Sequence, residues 1–214
     1  MAKKKATISA EEFSKNYWAY YLELESQLSK TKRYVDFSSK NNSTFSVEYL
    51  ELLQAVCSEI DVVAKVFSAY LDPAFNGDKI MHWGYQLQQS VPQIMNMTVL
   101  FNNDYEITPW NNWEYEIVLK TDKNGKQRTN YNLKGKAKTP QWWTAYNKAK
   151  HERTSPYNNT CINYNRANLK NVVLSMAALY VLESIMRERL FTDANYNGPI
   201  QESSLFSINH LSDN

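Results

Sequence analysis

The stretch at residues 46–71, SVEYLELLQAVCSEIDVVAKVFSAYL, decides the fold class. Leu50, Leu53, Val56, Cys57, Ile60, Val63, Ala64, Phe67 and Leu71 return at steps of three and four, which lays one broad apolar stripe along a long helix. Ser46 offers a capping hydroxyl at its start, and Pro73 and Gly77 end it. A one-sided stripe of that length needs other helices to cover it. The chain supplies them on both sides.

Upstream, residues 10–34 read as a helix with Phe13, Tyr17, Tyr20, Tyr21, Leu24 and Leu28 inward. Ser9 can cap it, and Glu11 and Glu12 suit the positive end of its dipole. A Ser- and Asn-rich break covers 36–44. Downstream, 78–91 reads as a helix that Pro92 either kinks or replaces with a new one reaching Thr98. Met81, Tyr85, Leu87, Ile94, Met95 and Val99 face its core. The last helix, 166–190, buries Leu169, Val172, Val173, Met176, Ala177, Tyr180, Val181, Ser184 and Ile185. Small residues at Ser175, Ala177 and Ala178 allow close approach.

One segment breaks the helical period. Tyr115, Ile117 and Leu119 alternate with polar residues, and so do Thr129, Tyr131 and Leu133. Asn124-Gly125 lies between them, where a tight hairpin turn needs positive φ. The expected architecture is a four- to five-helix bundle, mainly α, with a β-hairpin insertion at 114–134. A two-stranded ribbon is marginal alone, so it must lean on the helices or on a partner. The expected domain organisation is a flexible N-terminal tail at 1–9, the bundle at 10–190, and a loosely held polar tail at 191–214.

Bulk composition narrows the function. The chain has 214 residues, 43% of them hydrophobic and 21% charged, which fits one globular domain. Net charge is only +2, from 24 basic and 22 acidic residues. That balance argues against a chain that coats nucleic acid, yet it permits a local basic patch. Lys3, Lys4 and Lys5 read as a solvated tail. No run of about 18 apolar residues and no secretory leader is evident, so the expectation is a cytoplasmic protein without a membrane segment. Cys57 and Cys161 have no metal spacing and read as free thiols. No Gly-rich phosphate loop occurs, and neither cofactor nor metal is expected.

Residues 140–153, PQWWTAYNKAKHER, concentrate the candidate chemistry. Thr139 and Pro140 suit a helix start, as cap and first-turn residue. On that helix Trp143, Asn147, Lys150 and His151 share one side, and Trp142, Tyr146 and Ala149 the neighbouring one. The simplest division buries the Trp142/Tyr146 face and leaves the Asn147/His151 face at a groove. The dipole at the helix C-terminus favours a charged His151, whereas Lys150 and Arg153 oppose it, a balance that suits a general acid or base. Aromatic planes beside cations also suit single-stranded RNA, with stacked bases and gripped phosphates. Asn147, Trp143, Tyr146, Arg166 and Asn168 are the candidate binding residues. As a structural residue, His151 needs a carbonyl or a carboxylate such as Glu152, Glu59 or Asp61. Glu59 and Asp61 read as solvated, or as ion-paired with Lys148, Arg153 or Arg166.

The run Trp-Trp-x-x-Tyr-Asn-x-x-Lys-His-x-Arg, followed by Arg166-Ala167-Asn168-Leu169 and a long small-and-apolar helix, resembles a group of uncharacterised bacterial and phage-associated helical proteins. Residues 57–61 and 109–113 resemble the same group, so the likeness spans about residues 10–190. It carries no activity with it. More distantly, the chain resembles the HEPN superfamily. These are helical bundles, often dimeric, and many are metal-independent ribonucleases in toxin–antitoxin and phage-defence systems. Their motif sets an Arg a few residues before a His. Here Arg153 follows His151 and Lys150 precedes it. The resemblance implies a helical fold and a homodimer. Where its chemistry carries over, His151 is the base for a ribose 2′-hydroxyl, with Arg153 and Lys150 stabilising the phosphorane charge. Three readings follow. One is a protein that binds RNA or a partner protein near His151, one is a metal-independent ribonuclease, and one is an assembly protein.

Overall fold

The computed structural model describes residues 8–208. It contains five helical rods with two small antiparallel sheets. The expected tail residues Lys3, Lys4 and Lys5, and His210, lie outside the described residues.

The first rod is α1 (Ala10–Phe13), a π-turn (Ser14–Trp18) and α2 (Ala19–Thr31), running on without a break. Ser9 caps it in a reciprocal box with Glu12. The π-turn alters the expected inner face. It widens one step from four residues to five, so Trp18 is buried rather than Tyr17, and Tyr20 is left 40% exposed. Phe13, Tyr21, Leu24 and Leu28 are buried as their spacing predicts. The rod ends at Thr31, short of the expected limit.

α3 (Val47–Leu71) has Ser46 as its cap and buries its stripe from Leu50 to Phe67. It packs along α6 (Leu169–Ala194), the central rod. The 26-residue α6 is long and apolar enough to cross a membrane, but 89% of its most apolar window is buried inside the fold. It is a core helix, covered on all sides, so its apolar residues ring it instead of forming one stripe. It starts after its cap Asn168, three residues later than the expected Arg166, and continues past Leu190 to Ala194.

α4 (Ile80–Ser90) is followed by a single 3-10 turn, Pro92–Met95. Pro92 therefore starts a new turn, and that turn stops at Met95, short of the expected Thr98. The hairpin forms β3 (Tyr115–Thr121) and β4 (Gln127–Leu133), with Ile117 opposite Tyr131, one residue away from the Asn132 that a two-residue turn at Asn124-Gly125 would set there. Its connection differs from a two-residue Asn-Gly turn. Residues 122–126 form the loop, and Gly125 alone has positive φ, at 79°. The Asp122 carboxylate accepts from the amides of Asn124 and Lys126, which stabilises the wider loop. The base of the hairpin is clamped to α4. Gln88 donates to the Trp113 carbonyl and accepts from the Tyr115 amide.

A second sheet has strand order β2-β1-β5, from β1 (Val99–Phe101), β2 (Tyr105–Ile107) and β5 (Phe206–Ile208). It holds the described part of the tail expected to be loose at 191–214, through Ile208. Asn195 stops α6 in the left-handed conformation at φ 49°, and the chain returns to the body. Trp18 donates its indole N–H to the Gln201 carbonyl at 2.7 Å. Leu205 and Phe206 are buried. Glu25, 3% exposed, anchors the return. Its carboxyl accepts from the Tyr21 hydroxyl, the Ser203 and Ser204 hydroxyls, and the Ser204 and Leu205 amides.

The other half of the core is a tryptophan cluster. Trp110 stacks on Trp113 at 5.1 Å and meets Trp142 edge-on at 5.1 Å. Trp83 meets Trp113 and Trp143 edge-on. Each indole N–H of Trp83, Trp110 and Trp142 has an acceptor: the Asp61 carboxylate, the Ala178 carbonyl and the Pro109 carbonyl. Gly84 lets this cluster close, because a Cβ there would stand 2.8 Å from the Trp113 ring.

Candidate functional site

α5 (Gln141–His151) carries the candidate residues. Pro140, with ψ 141°, takes the cap position expected of Thr139, and no side chain caps the helix. Trp142, Tyr146 and Ala149 are buried, as the expected inner face requires, and so is Ala145. Trp143 is buried with them, at 8% exposure, and packs against Trp83, Trp142 and Tyr146. The edge of the buried face therefore runs between Trp143 and Asn147. Neither Trp of the pair is an open stacking platform or an oligomer anchor; both belong to the core cluster.

The polar residues tie back to their own helix. Asn147 donates to the Trp143 carbonyl at 3.1 Å, and Arg153 Nε donates to the Ala149 carbonyl at 3.3 Å. Lys150 donates to the Tyr146 hydroxyl at 2.9 Å and lies 5.1 Å from that ring's centre. That hydrogen bond raises the Lys150 pKa and keeps the side chain cationic. Lys148 pairs with Glu152 at 2.7 Å. His151 is exposed, and no described side chain hydrogen-bonds to it. The carboxylates suggested for it are occupied elsewhere: Glu152 by Lys148, and Asp61 by Lys65 and Trp83. Asp61 thus pairs within its own helix and not with Lys148, Arg153 or Arg166. Glu59 has no ion pair among the described residues and lies half-buried on α3.

Residues 152–166 fold back onto the end of α5 and bring the rest of the surface to it. The Tyr164 amide donates to the Arg153 carbonyl, the Asn163 amide to the Ser155 carbonyl, and the Asn163 side chain to the Glu152 carbonyl. A bridge between Pro156 and Ile162 closes the tip. The 3-10 turn Asn163–Arg166 then presents Arg166. Its Nε donates to Asn163 Oδ1 at 2.9 Å, and its guanidinium lies over the Tyr157 ring, 4.1 Å from the centre. Asn168 has a helix-capping role: it accepts from the Asn171 amide and donates to the Asn165 carbonyl.

The surface therefore groups Lys148, Lys150, His151, Arg153 and Arg166 around the C-terminal end of α5, where the helix dipole favours cations. Tyr157, Tyr164 and Phe45 are its aromatic members. Phe45 is 44% exposed and meets Tyr164 edge-on at 5.5 Å. The sequence reading missed all three. Their only trace is a Tyr in an Asn-rich loop, and nothing local ties Phe45 to residues more than a hundred positions away. A separate apolar cleft of about 240 Å³ lies between β1, β2 and the first turn of α6, walled by Phe37, Phe101, Ile107, Leu169 and Val173. None of the residues around His151 lines it. No family model, no curated protein and no solved structure matches this chain.

Proposed function

We propose that the chain is a cytoplasmic binding protein, a HEPN-like helical bundle, whose ligand is single-stranded RNA held at the end of α5. The observation that carries this reading is Arg166, its guanidinium over the Tyr157 ring at 4.1 Å and its Nε fixed by Asn163. A guanidinium held in that way presents its remaining N–H groups in a set direction, which suits a phosphate. Lys150 and Arg153 extend the positive surface, and the exposed rings of Tyr157 and Phe45 offer stacking faces. Phage defence or a toxin–antitoxin-like system is the setting that the resemblance suggests.

The test is fluorescence anisotropy with labelled single-stranded RNA at 50 and 200 mM salt. Binding is expected to weaken as salt rises, because bound cations leave the phosphates. Arg166→Ala and Tyr157→Ala are each expected to weaken it by about tenfold, the scale of one stacked base or charged contact. No binding at low salt, or variants that bind like the parent protein, would overturn the reading. The same mixtures in EDTA test the ribonuclease alternative. Cleavage by the parent protein and not by His151→Ala would replace binding with metal-independent hydrolysis.

Assembly is favoured by a different observation. On β3, Ile117 is 42% and Leu119 62% exposed, although Tyr131, opposite Ile117, packs on His82 and Tyr85 of α4. A homodimer through this face would cover them. Replacing 117–131 by a short Gly-Ser turn is expected to halve the mass seen by light scattering and leave the helical content in place. An unchanged mass would sink the dimer.

A further inference from the structure

Glu183 lies in α6 with none of its surface exposed, and neither carboxyl oxygen has a hydrogen-bond partner among the described residues. The contrast with Glu25 is direct: that carboxyl is nearly as buried but is surrounded by donors. An ionised carboxylate without a partner is among the costliest groups to bury. Burial, and then the charge of Glu59, push the Glu183 carboxyl well above the usual carboxylate range. The folded chain therefore holds Glu183 as a neutral acid.

The surrounding elements supply no countercharge. α3 brings Glu59, half-buried and itself pushed up by burial. The π-turn brings Tyr17, whose phenol is raised by burial, then by Glu59, Glu12 and Glu183. α1 brings Glu12, engaged in the Ser9 cap. α2 brings Tyr21, whose hydroxyl goes to Glu25. On α6 itself Tyr180 and Arg187 flank the site, and Arg187 lies over Trp18 and pairs with Glu202. The charge that acts on Glu183 is negative.

Tyr180 and Arg187, on either side of Glu183, both meet Trp18 of the π-turn, at 6.1 and 4.9 Å, and α1 packs on α6. We propose that Glu183 is a proton-operated latch beneath the N-terminal segment. While the carboxyl carries its proton, α1 and the π-turn stay seated on α6. When the O–H bond breaks and the proton passes to bulk water, the carboxylate must be hydrated and the segment lifts. Tyr17 and Glu59, both half-buried, lie on the π-turn and on α3, the elements whose charge reaches Glu183. The segment over this site is short: α1 has four residues, and the π-turn behind it has the wider ring of hydrogen bonds. Because the folded value is raised, this contribution to stability is fully present below the carboxyl's ordinary value of about 4.3. It declines as pH rises from there toward the value of Glu183 itself.

The experiment is hydrogen exchange of the whole chain between pH 6 and pH 8.5, corrected for the intrinsic pH dependence of exchange. In the parent protein, protection of the segment at 10–18 is expected to fall by up to about tenfold per pH unit. Peptides from the middle of α3 should not change. Glu183→Gln, and Glu183→Leu as a second neutral replacement, are expected to remove the dependence and hold the segment closed at both extremes. Glu59→Gln is expected to move the transition to lower pH, because a neighbouring negative charge is gone. Equal pH dependence in the parent and in either folded Glu183 variant would overturn the latch. So would a parent segment whose protection does not change with pH.

Discussion

Glu25→Ala is expected to lower stability by about 3–5 kcal/mol and to release the C-terminal strand. The physical reason is the number of donors that the substitution leaves behind. Five N–H and O–H groups point at this one carboxyl, two of them backbone amides at Ser204 and Leu205. A buried donor stranded without an acceptor costs about 1–3 kcal/mol. The total is smaller than the sum, because the segment at 203–208 can peel off and hydrate its own donors. That relief has a structural price: β5 leaves β1, and Phe206 loses its contact with Tyr180 and Phe101. Urea unfolding gives the energy, and exchange at 203–208 reports the strand. A loss under about 1 kcal/mol with β5 still protected would mean that hydrophobic burial alone holds the tail. Glu25→Gln separates shape from acceptor number. The amide fills the same space but replaces one acceptor oxygen with donors, so it should fall between the parent and Ala.

Trp110→Ala is expected to cost about 3–5 kcal/mol, the range for deleting a large buried aromatic side chain. Trp110 has no exposed surface. Its ring packs on Trp83, Trp113 and Trp142, and its N–H donates to the Ala178 carbonyl on α6 at 3.1 Å. It therefore joins α4, α5 and α6 at one point, and the gap it leaves cannot be closed by moving a single neighbour. The effect should reach the proposed RNA surface, because Trp142 and Trp143 seat α5 in this cluster. Denaturant midpoints for Trp110→Ala and Trp110→Phe check the prediction, with Phe retaining part of the stability. An Ala variant within about 1 kcal/mol of the parent would show that the cluster is not the joint.

The helices were legible because their signal is local. Ser9 and Ser46 cap where their hydroxyls predict, and the stripe of α3 is buried as spaced. The hairpin's two strands also followed from alternation, since strands seven residues long repeat the two-residue period several times, but their register did not, because the five-residue loop replaces the Asn-Gly turn. The candidate site was half legible. Residues 140–153 form a helix whose cations gather at its C-terminal end, yet the sequence split its faces one residue out of place. Trp143 went to the polar side, although the tryptophan cluster draws it inward. Trp83, Trp110 and Trp113, which decide this, come from two other segments of the chain.

Local period and capping chemistry, written within a few turns, determined the helices, the hairpin and the class of fold. What depends on residues far apart waited for the packed chain. In the β2-β1-β5 sheet, β1 pairs with β5 about a hundred positions away, and all three strands have three residues, too short to show a period. The π-turn exchanges Tyr17 for Trp18 because the core accepts the indole and its N–H reaches the Gln201 carbonyl. Arg166 meets Tyr157 only after the loop folds back on α5. Glu25 and Glu183 are both acidic residues on helices, alike in sequence. Only the neighbours supplied by the fold give one a full set of donors and leave the other without any.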